Sequence, residues 1–200
     1  MPKIVDHDQR RNEIVEAFLA VVARDGLPAA TSRAIAAELG MGAGALWHYF
    51  DGFDAVAAGA FHRITDRTND RIAAATASRR GLAALDAALR EILPLEKETR
   101  DEAHVVVGFW GRMAANDTMP VINDVVEDQW RGMLRDRLAE AVEDGDIDPA
   151  VPYDEVIDVL LSIALAQQVH AVMGSPLSEP ARQLAMIDHC LRPWRRAARS

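Results

Sequence analysis

The stretch "GMGAGALWHYF", residues 40–50, has two interpretations that lead to different folds. The spacing Gly40-x-Gly42-x-x-Ala45 fits the glycine fingerprint of a dinucleotide-binding loop, whose small residues let the backbone approach a pyrophosphate. The same residues also fit a turn out of one short helix into another that ends in an aromatic cluster. The flanking sequence has to decide between a phosphate-binding loop and a helix-turn-helix.

The residues before the glycines have the period of helices. One apolar stripe predicts a helix over about residues 10–24, formed by Ile14, Phe18, Val21 and Val22. Thr31 or Ser32 can cap a short second helix that ends at Gly40. A third short helix begins at about Ala43 and carries the aromatic cluster.

A dinucleotide-binding loop requires a strand immediately before it, because the strand aims the loop at the pyrophosphate. Here the alanine-rich "TSRAIAAEL" comes first, and no run within residues 1–53 alternates as a half-buried strand would. An acidic ribose-binding residue after a second strand is missing as well. The glycine spacing is therefore a coincidence of composition, and the sequence favours a helix-turn-helix.

The rest of the chain continues as helices separated by glycine, proline and capping residues. Predicted helices cover about residues 54–77, 81–93, 99–115, 120–143, 153–174 and 178–191. We therefore predict an all-α protein of about nine helices without a sheet. A helix-turn-helix DNA-binding domain occupies residues 1–53, and a ligand-binding and dimerisation domain occupies residues 54–200.

Composition indicates a cytoplasmic protein. Cys190 is the only cysteine among 200 residues, which excludes an internal disulfide and fits a reducing compartment. The N-terminal "MPKIVDHDQRR" has no apolar run of the signal-peptide type. Residues 159–178 carry no formal charge and approach bilayer-spanning length, but they contain two glutamines, a histidine and a proline. We interpret them as a buried helix and expect no membrane partner.

Charge alone does not predict DNA binding. The formal net charge is -9, and residues 1–53 hold five basic against seven acidic side chains. Nucleic-acid binders usually have a basic face, so the helix-turn-helix hypothesis depends on the motif and not on the charge.

Motifs of common enzymes are missing from the sequence. It contains no G-x-x-x-x-G-K-S/T phosphate loop, no H-E-x-x-H metal motif and no G-x-S-x-G nucleophile turn. The six histidines have no metal-ligand spacing with the cysteine. We predict no catalytic residue, no metal site and no cofactor.

The segment "TSRAIAAELGMGAGALWHYF", residues 31–50, resembles the signature of the tetracycline-repressor-like (TetR) family of bacterial regulators. It has the T-x-R-x-I-A start of the second helix, a glycine turn, and Leu-aromatic-x-Tyr-Phe in the third. Residues 109–171 resemble the C-terminal domain of the choline-responsive betaine-regulator subgroup. The resemblance implies a repressor that binds double-stranded operator DNA and is released by a small-molecule effector, apolar or cationic.

The resemblance also implies which residues contact DNA. Arg33 matches a position that reaches a base or a phosphate, and the start of the third helix normally enters the major groove. Arg10 and Arg11 are candidate phosphate contacts from the first helix. The full predicted set is Arg33, Ala43, Gly44, Ala45, Trp47, His48, Tyr49, Arg10 and Arg11.

Two departures from the family pattern predict weaker or more salt-sensitive DNA binding. Gly42 and Ala45 stand where the family more often has Ser or Thr, so side-chain hydrogen bonds to bases are lost. Phe53 stands where the family usually has a Lys, and each missing cation lowers the affinity for phosphates.

The C-terminal half supplies a predicted dimer interface and a predicted pocket. The helix over residues 153–174 is too apolar to be buried by one chain, so we expect a two-fold homodimer through Val156, Leu160, Ile163, Ala164, Leu184, Ile187 and Leu191. Aromatic and Met side chains suit an adaptable cavity, and polar groups on an apolar helix need partners. The predicted ligand-binding residues are His104, Phe109, Trp110, Met113, Trp130, Gln167 and His170.

Two other functions are compatible with the sequence. A helical ligand-binding protein with weakened or vestigial DNA binding would fit Ala45 and Phe53. A small helical-bundle enzyme with its site in the core would be marked by turnover without DNA.

Overall fold

The computed structural model describes residues 7–113 and 120–196, without the side chains of Met113 and of residues 120–123. Over these residues the chain forms eight α-helices: α1 His7–Asp25, α2 Ser32–Glu38, α3 Phe53–Thr76, α4 Gly81–Ile92, α5 Lys97–Met113, α6 Pro120–Glu143, α7 Tyr153–Val172 and α8 Pro180–Leu191. Four 3-10 helices accompany them: Leu27–Ala29, Ala43–His48, Pro176–Ser178 and Arg192–Trp194. The described part contains no strand, so the predicted all-α fold is confirmed.

The predicted helix boundaries agree with the structure to within about three residues, apart from one change of type. The third short helix is a 3-10 helix, Ala43–His48, and not an α-helix. It has only six residues, and a piece this short closes i to i+3 bonds easily.

By packing, the chain divides into two compact units. Among the described residues, unit 1 comprises residues 7–66 and 104–113, and unit 2 comprises residues 67–103 and 120–196. The predicted boundary after Phe53, between a DNA-binding domain and a ligand-binding domain, stays a prediction.

The core of unit 1 is built around the predicted stripe of α1. Ile14, Phe18, Val21 and Val22 are all buried, as expected from their spacing. They pack with buried residues of the following helices: Ile35, Ala36, Leu46, Phe50, Val56, Ala60 and Ile64, with Val105 of α5. This core fixes the positions of α1, α2 and the 3-10 helix Ala43–His48.

Unit 2 packs α4, α6, α7 and α8 around a second core. Its fully buried side chains include Leu85, Leu89, Leu93, Leu134, Leu138, Ile147, Ile157 and Leu160. The C-terminal segment up to Arg196 is bonded to this unit. Asp148 N–H donates to the Trp194 carbonyl at 2.8 Å, and Arg196 N–H donates to the Asp146 carbonyl at 2.8 Å.

Helix α7 is buried on one face only. Val156, Ile157 and Leu160 lie in the core of unit 2, whereas Val159 and Leu165 are 47% and 46% exposed. By length and composition α7 is the one described helix able to cross a membrane. One third of its most apolar window is buried inside the chain, so much of the apolar surface of α7 is left uncovered by the chain itself.

Candidate DNA-binding and effector sites

The helix-turn-helix is held together by local bonds that the sequence specifies. Thr31 Oγ1 accepts a hydrogen bond from the Ala34 N–H at 3.2 Å and caps α2, as predicted. Gly40 ends α2 with φ of 62°, in the left-handed region that favours glycine. Met41 N–H then donates to the Ala36 carbonyl at 2.9 Å, which completes a Schellman-type turn into the next helix.

We call the 3-10 helix Ala43–His48 the recognition helix, after its place in the motif. Gly42 precedes it and offers no side-chain cap. Leu46 is fully buried and anchors the helix, while Gly44, Trp47 and His48 are exposed. The buried anchor leaves these residues facing solvent, where a DNA groove can reach them.

The other predicted DNA contacts lie at different depths. Arg33 is exposed and forms no hydrogen bond or ion pair with the described residues. Ala43, Ala45 and Tyr49 are partly buried. Their side chains help pack the motif and keep only part of their surface for DNA.

Arg10 and Arg11, predicted to bind phosphate, both have partners within unit 1. Arg10 pairs with Glu13 at 2.5 Å, and this guanidinium lowers the pKa of the Glu13 carboxyl. Arg11 donates to the backbone carbonyl of Tyr49 and lies over the Phe50 ring, 4.2 Å from its centroid. A phosphate would have to compete with these contacts, most of all at Arg11.

Phe53 stands where the family usually has a Lys, and it begins α3 next to the guanidinium of Arg112. Its ring meets Phe18 edge-on at 5.8 Å, and the Arg112 guanidinium lies 4.8 Å from its centroid. Arg112 also forms an ion pair with Asp54. The aromatic ring is thus accommodated by packing and a cation–π contact, at the expense of a cation free to bind phosphate.

The predicted ligand-binding residues divide between the two units. In unit 1, Phe109 is buried and stacks on Phe61 with ring centroids 4.3 Å apart, and Trp110 is partly buried. His104 is exposed and points away from the core, contrary to the expectation that it lines a cavity. The side chain of Met113 lies outside the described part.

In unit 2 the predicted ligand-binding residues carry unsatisfied polar atoms. Trp130 Nε1–H donates to Asn69 Oδ1 at 2.9 Å. Gln167 is 2% exposed and its Nε2–H contacts the Met186 sulfur at 3.4 Å, but its Oε1 has no partner among the described residues. The buried Nδ1 of His170, one turn further along α7, has none either. Buried polar atoms of this kind require a partner such as water or a ligand.

Sequence reasoning missed a third polar group of this kind. Gln183 is fully buried; its Nε2–H donates to the Ser178 carbonyl at 2.7 Å and the Pro94 carbonyl at 3.3 Å. Its Oε1 has no partner in the described structure. The signal was present, because Gln183 stands in line with Ile187 and Leu191 on the apolar stripe of α8.

A buried ionic network was missed as well. Arg71 of α3 pairs with Glu102 of α5 at 3.0 Å and with Glu91 of α4 at 3.4 Å. Glu102 is 9% exposed, and desolvation raises its pKa even though Arg71 opposes the shift. No sequence pattern indicates this network, since charged helix residues are usually solvated.

The predicted dimer residues are mostly in the chain's own core. Five are buried in unit 2: Val156, Leu160, Ala164, Ile187 and Leu191. Ile163 and Leu184 are only partly buried. A single chain already provides partners for the first five, and the predicted dimer interface stays a prediction.

Comparison with known families covers both parts of the chain. The family described as "Bacterial regulatory proteins, tetR family" matches residues 14–60, which contain the helix-turn-helix. The family described as "BetI-type transcriptional repressor, C-terminal" matches residues 81–192, more than half of the chain.

Individual relatives are regulators too. The chain is 38% identical over 97 residues to the HTH-type transcriptional regulator PksA of Bacillus subtilis, a match that spans 48% of this chain and 42% of that protein. A transcriptional regulator from Rhodococcus sp. Rha1 superposes with a TM-score of 0.75 at 26% identity, covering 92% and 95% of the two chains. A putative regulator from Saccharomonospora viridis, solved in complex with choline, gives a TM-score of 0.83 at 18% identity, with 95% and 100% covered.

These matches agree with the fold and the motif described above. The family and its relatives are transcriptional regulators and not enzymes. TetR regulators are soluble proteins that bind operator DNA, form homodimers and bind small-molecule effectors. The chain therefore belongs to the TetR family of bacterial transcriptional regulators, with a C-terminal part of the BetI type.

Proposed function

We propose that the protein is a cytoplasmic repressor that binds an operator as a homodimer and leaves it when a small molecule binds its C-terminal part. The observation that carries the proposal is the exposure of Arg33, Trp47 and His48 around a helix-turn-helix whose turn depends on Gly40.

DNA contact divides between base recognition and backbone binding. Arg33 can reach a guanine edge with its two-pronged guanidinium, and Trp47, His48 and Tyr49 can give hydrogen bonds to phosphates. Ala43, Gly44 and Ala45 offer no side-chain donor, so they allow close approach and contact with thymine methyl groups. Arg10 adds a backbone contact at the start of α1.

Dimerisation is supported by the apolar surface of α7. Val159 and Leu165 are large, exposed and on one helix, and the small Ala166 and the partly buried Ile163 lie beside them in sequence. Pairing this surface with its copy, together with Leu184 of α8, gives a four-helix interface of two-fold symmetry.

The dimer has a direct test. Leu165→Glu should convert the protein to monomers by sedimentation at micromolar concentration, because a carboxylate would be buried at the symmetric contact. Val125→Glu is the control, since Val125 is 62% exposed on α6. A monomeric wild type, or no effect of Leu165→Glu, would contradict this interface.

The effector proposal concerns Trp130, Gln167 and His170 of unit 2. The predicted ligand contacts Phe109 and Trp110 belong to unit 1 and stay a separate prediction. The unpartnered Gln167 Oε1 can accept a hydrogen bond from a ligand, and His170 Nδ1 can accept or donate one. Aromatic rings suit a quaternary or primary ammonium group, and the S. viridis relative was solved with choline. We therefore propose a small organic cation as the effector class.

A paired titration tests the proposal. Choline, betaine and an uncharged isostere are added while tryptophan fluorescence and operator affinity are measured on the same samples. We expect a cation to change both, since a ligand that favours the free protein must weaken DNA binding in proportion. If a cation binds without changing the operator affinity, the protein binds the cation but the proposal that the cation controls DNA binding is contradicted.

One observation favours the second candidate, a ligand-binding protein with vestigial DNA binding. Phe53 brings no cation to the start of α3, and Arg112 beside it is paired with Asp54. A well-folded dimer that binds cations but no duplex at low salt would support this alternative.

A further inference from the structure

We propose that His7 and Arg11 of α1 are positioning residues, which hold the C-terminal end of the recognition helix in the geometry that reads DNA. The proposal rests on the proposed function, because it concerns the same helix Ala43–His48. It assigns Arg11 a role different from the phosphate contact that the sequence predicts.

The recognition helix has little stability of its own. It has six residues, contains Gly44 and follows Gly42, which provides no side-chain cap. Short helices are marginal in water, and glycine makes them more so. The last carbonyls of such a helix have no partners within it and must be satisfied from outside.

Two side chains of α1 satisfy these carbonyls. Arg11 donates to the carbonyl of Tyr49, the residue that ends the helix, and His7 Nε2–H donates to the carbonyl of His48 at 3.3 Å. His7 and Arg11 are four residues apart, so they lie on the same face of α1. Both therefore act on consecutive carbonyls at one end of the recognition helix.

Ring contacts reinforce the two hydrogen bonds. The Arg11 guanidinium lies 4.2 Å from the centroid of Phe50, whose side chain is 3% exposed. The His7 ring lies 4.9 Å from the Tyr49 ring. The planar Arg11 guanidinium packs on a buried ring and donates to a backbone carbonyl, so its position is fixed. A side chain that only binds a solvated phosphate does not need a fixed position.

The support from α1 is rigid, and the neighbouring arginine is placed differently. Ile14 and Phe18 fix α1 in the core of unit 1. Arg10 contacts the Met41 sulfur at 3.8 Å, before the recognition helix begins, and within the described residues it makes no hydrogen bond to the carbonyls of that helix. Arg10 is thus a matched control, one residue away and of equal charge.

The test separates a positioning residue from a phosphate contact by salt dependence. Affinities for a selected duplex and for a random duplex are measured over a range of salt for wild type, Arg11→Gln, Arg11→Lys and Arg10→Gln, with melting temperatures recorded. A lost phosphate contact lowers the slope of log K against log salt by about 0.9 and weakens both duplexes alike. A lost positioning contact lowers the preference for the selected duplex and leaves the slope unchanged.

We expect Arg11→Gln to reduce the preference for the selected duplex about tenfold, as for the loss of a charge-assisted hydrogen bond and a ring contact. Arg11→Lys should stay impaired, because an ammonium lacks the planar face and the fork of donors. Arg10→Gln should change the slope and not the preference. If Arg11→Gln behaves as Arg10→Gln, or Arg11→Lys restores full preference, the inference is overturned.

A second variant covers the possibility that Arg11→Gln does not fold. His7 is exposed, so His7→Ala should keep the melting temperature and still reduce the preference about threefold, as for one neutral hydrogen bond. An unchanged preference would overturn the inference. A wild type without preference for any duplex would overturn both this inference and the proposed function, whereas wild-type preference that the His7 and Arg11 variants retain overturns the inference alone.

Discussion

Unit 1 and unit 2 place their candidate functional groups in opposite environments. In unit 1 the predicted DNA contacts Arg33, Trp47 and His48 are exposed on a short motif. In unit 2 the polar candidates Gln167 and Gln183 are buried with unpartnered oxygens. A surface motif is encoded by neighbouring residues, whereas an internal site depends on which faces of distant helices meet.

The largest expected effect contrasts two aromatic residues of unit 1. Phe18→Ala should lower the free energy of unfolding by about 3–5 kcal/mol, because Phe18 is 1% exposed in the core. Trp47→Ala should change it by less than about 0.5 kcal/mol, since Trp47 is 43% exposed, and should weaken DNA binding instead. Denaturant unfolding and DNA titration measure the two effects; equal stability losses would contradict the division.

Arg33→Ala should cost about 1–3 kcal/mol of affinity at the selected site and relax the preference at one base position. Stability should not change, because Arg33 is exposed. Arg90→Ala is the control: Arg90 is exposed too but pairs with Asp86 at 2.7 Å within α4. An Arg33→Ala variant that reads every position as wild type does would show that Arg33 contacts no base.

Replacing one glycine in each unit by alanine should change the free energy of unfolding in opposite directions. Gly40→Ala should destabilise by about 1–2 kcal/mol, because φ of 62° places an L side chain in the left-handed region. Gly132→Ala, within α6, should stabilise by about 1 kcal/mol through helix propensity. An added Cβ meets nothing within 4 Å at either site, so only the backbone differs. Thermal unfolding of both variants checks the signs.

Two carboxylates of unit 2 should give opposite pH dependences. Burial raises the pKa of Glu102 in the folded protein. The free energy of unfolding of wild type, relative to that of Glu102→Gln, should therefore be highest at low pH and fall as pH rises through the raised pKa. The Gly81 N–H lowers the pKa of Glu140 in the folded protein. The free energy of unfolding of wild type, relative to that of Glu140→Gln, should therefore fall as pH falls through the lowered pKa. Unfolding between about pH 3 and 7 measures both trends; parallel trends would contradict the assigned environments.

Much of the fold could be predicted because its signals are local. Gly40, Pro94 and Thr31 mark helix ends through backbone geometry and capping, and the stripe from Ile14 to Val22 marks a core face. The type of the recognition helix could not be predicted, since six residues do not distinguish i to i+3 from i to i+4 bonding. The contacts of Arg11 with Tyr49 and Phe50 join residues far apart in sequence, and no local pattern encodes them.

The predicted ligand-binding and dimer residues were only partly predictable for the same reason. His104 and Phe109 are five residues apart, which places them about 140° apart around α5, so they cannot both face the core. The apolar residues of α7 surround the helix, and periodicity alone could not assign Val156 and Leu160 to the core or Val159 and Leu165 to the surface. In both helices the packing partner, and not the local sequence, decides which face is buried.

The central claim is sequence-specific DNA binding by the helix-turn-helix of unit 1. It is tested most directly by selecting duplexes from a random library with the purified protein and comparing the best duplex with a scrambled one at physiological salt. We predict a near-palindromic site, bound by one dimer at least about a thousandfold more tightly than the scrambled duplex. Equal affinity for both duplexes in a well-folded protein would contradict the account.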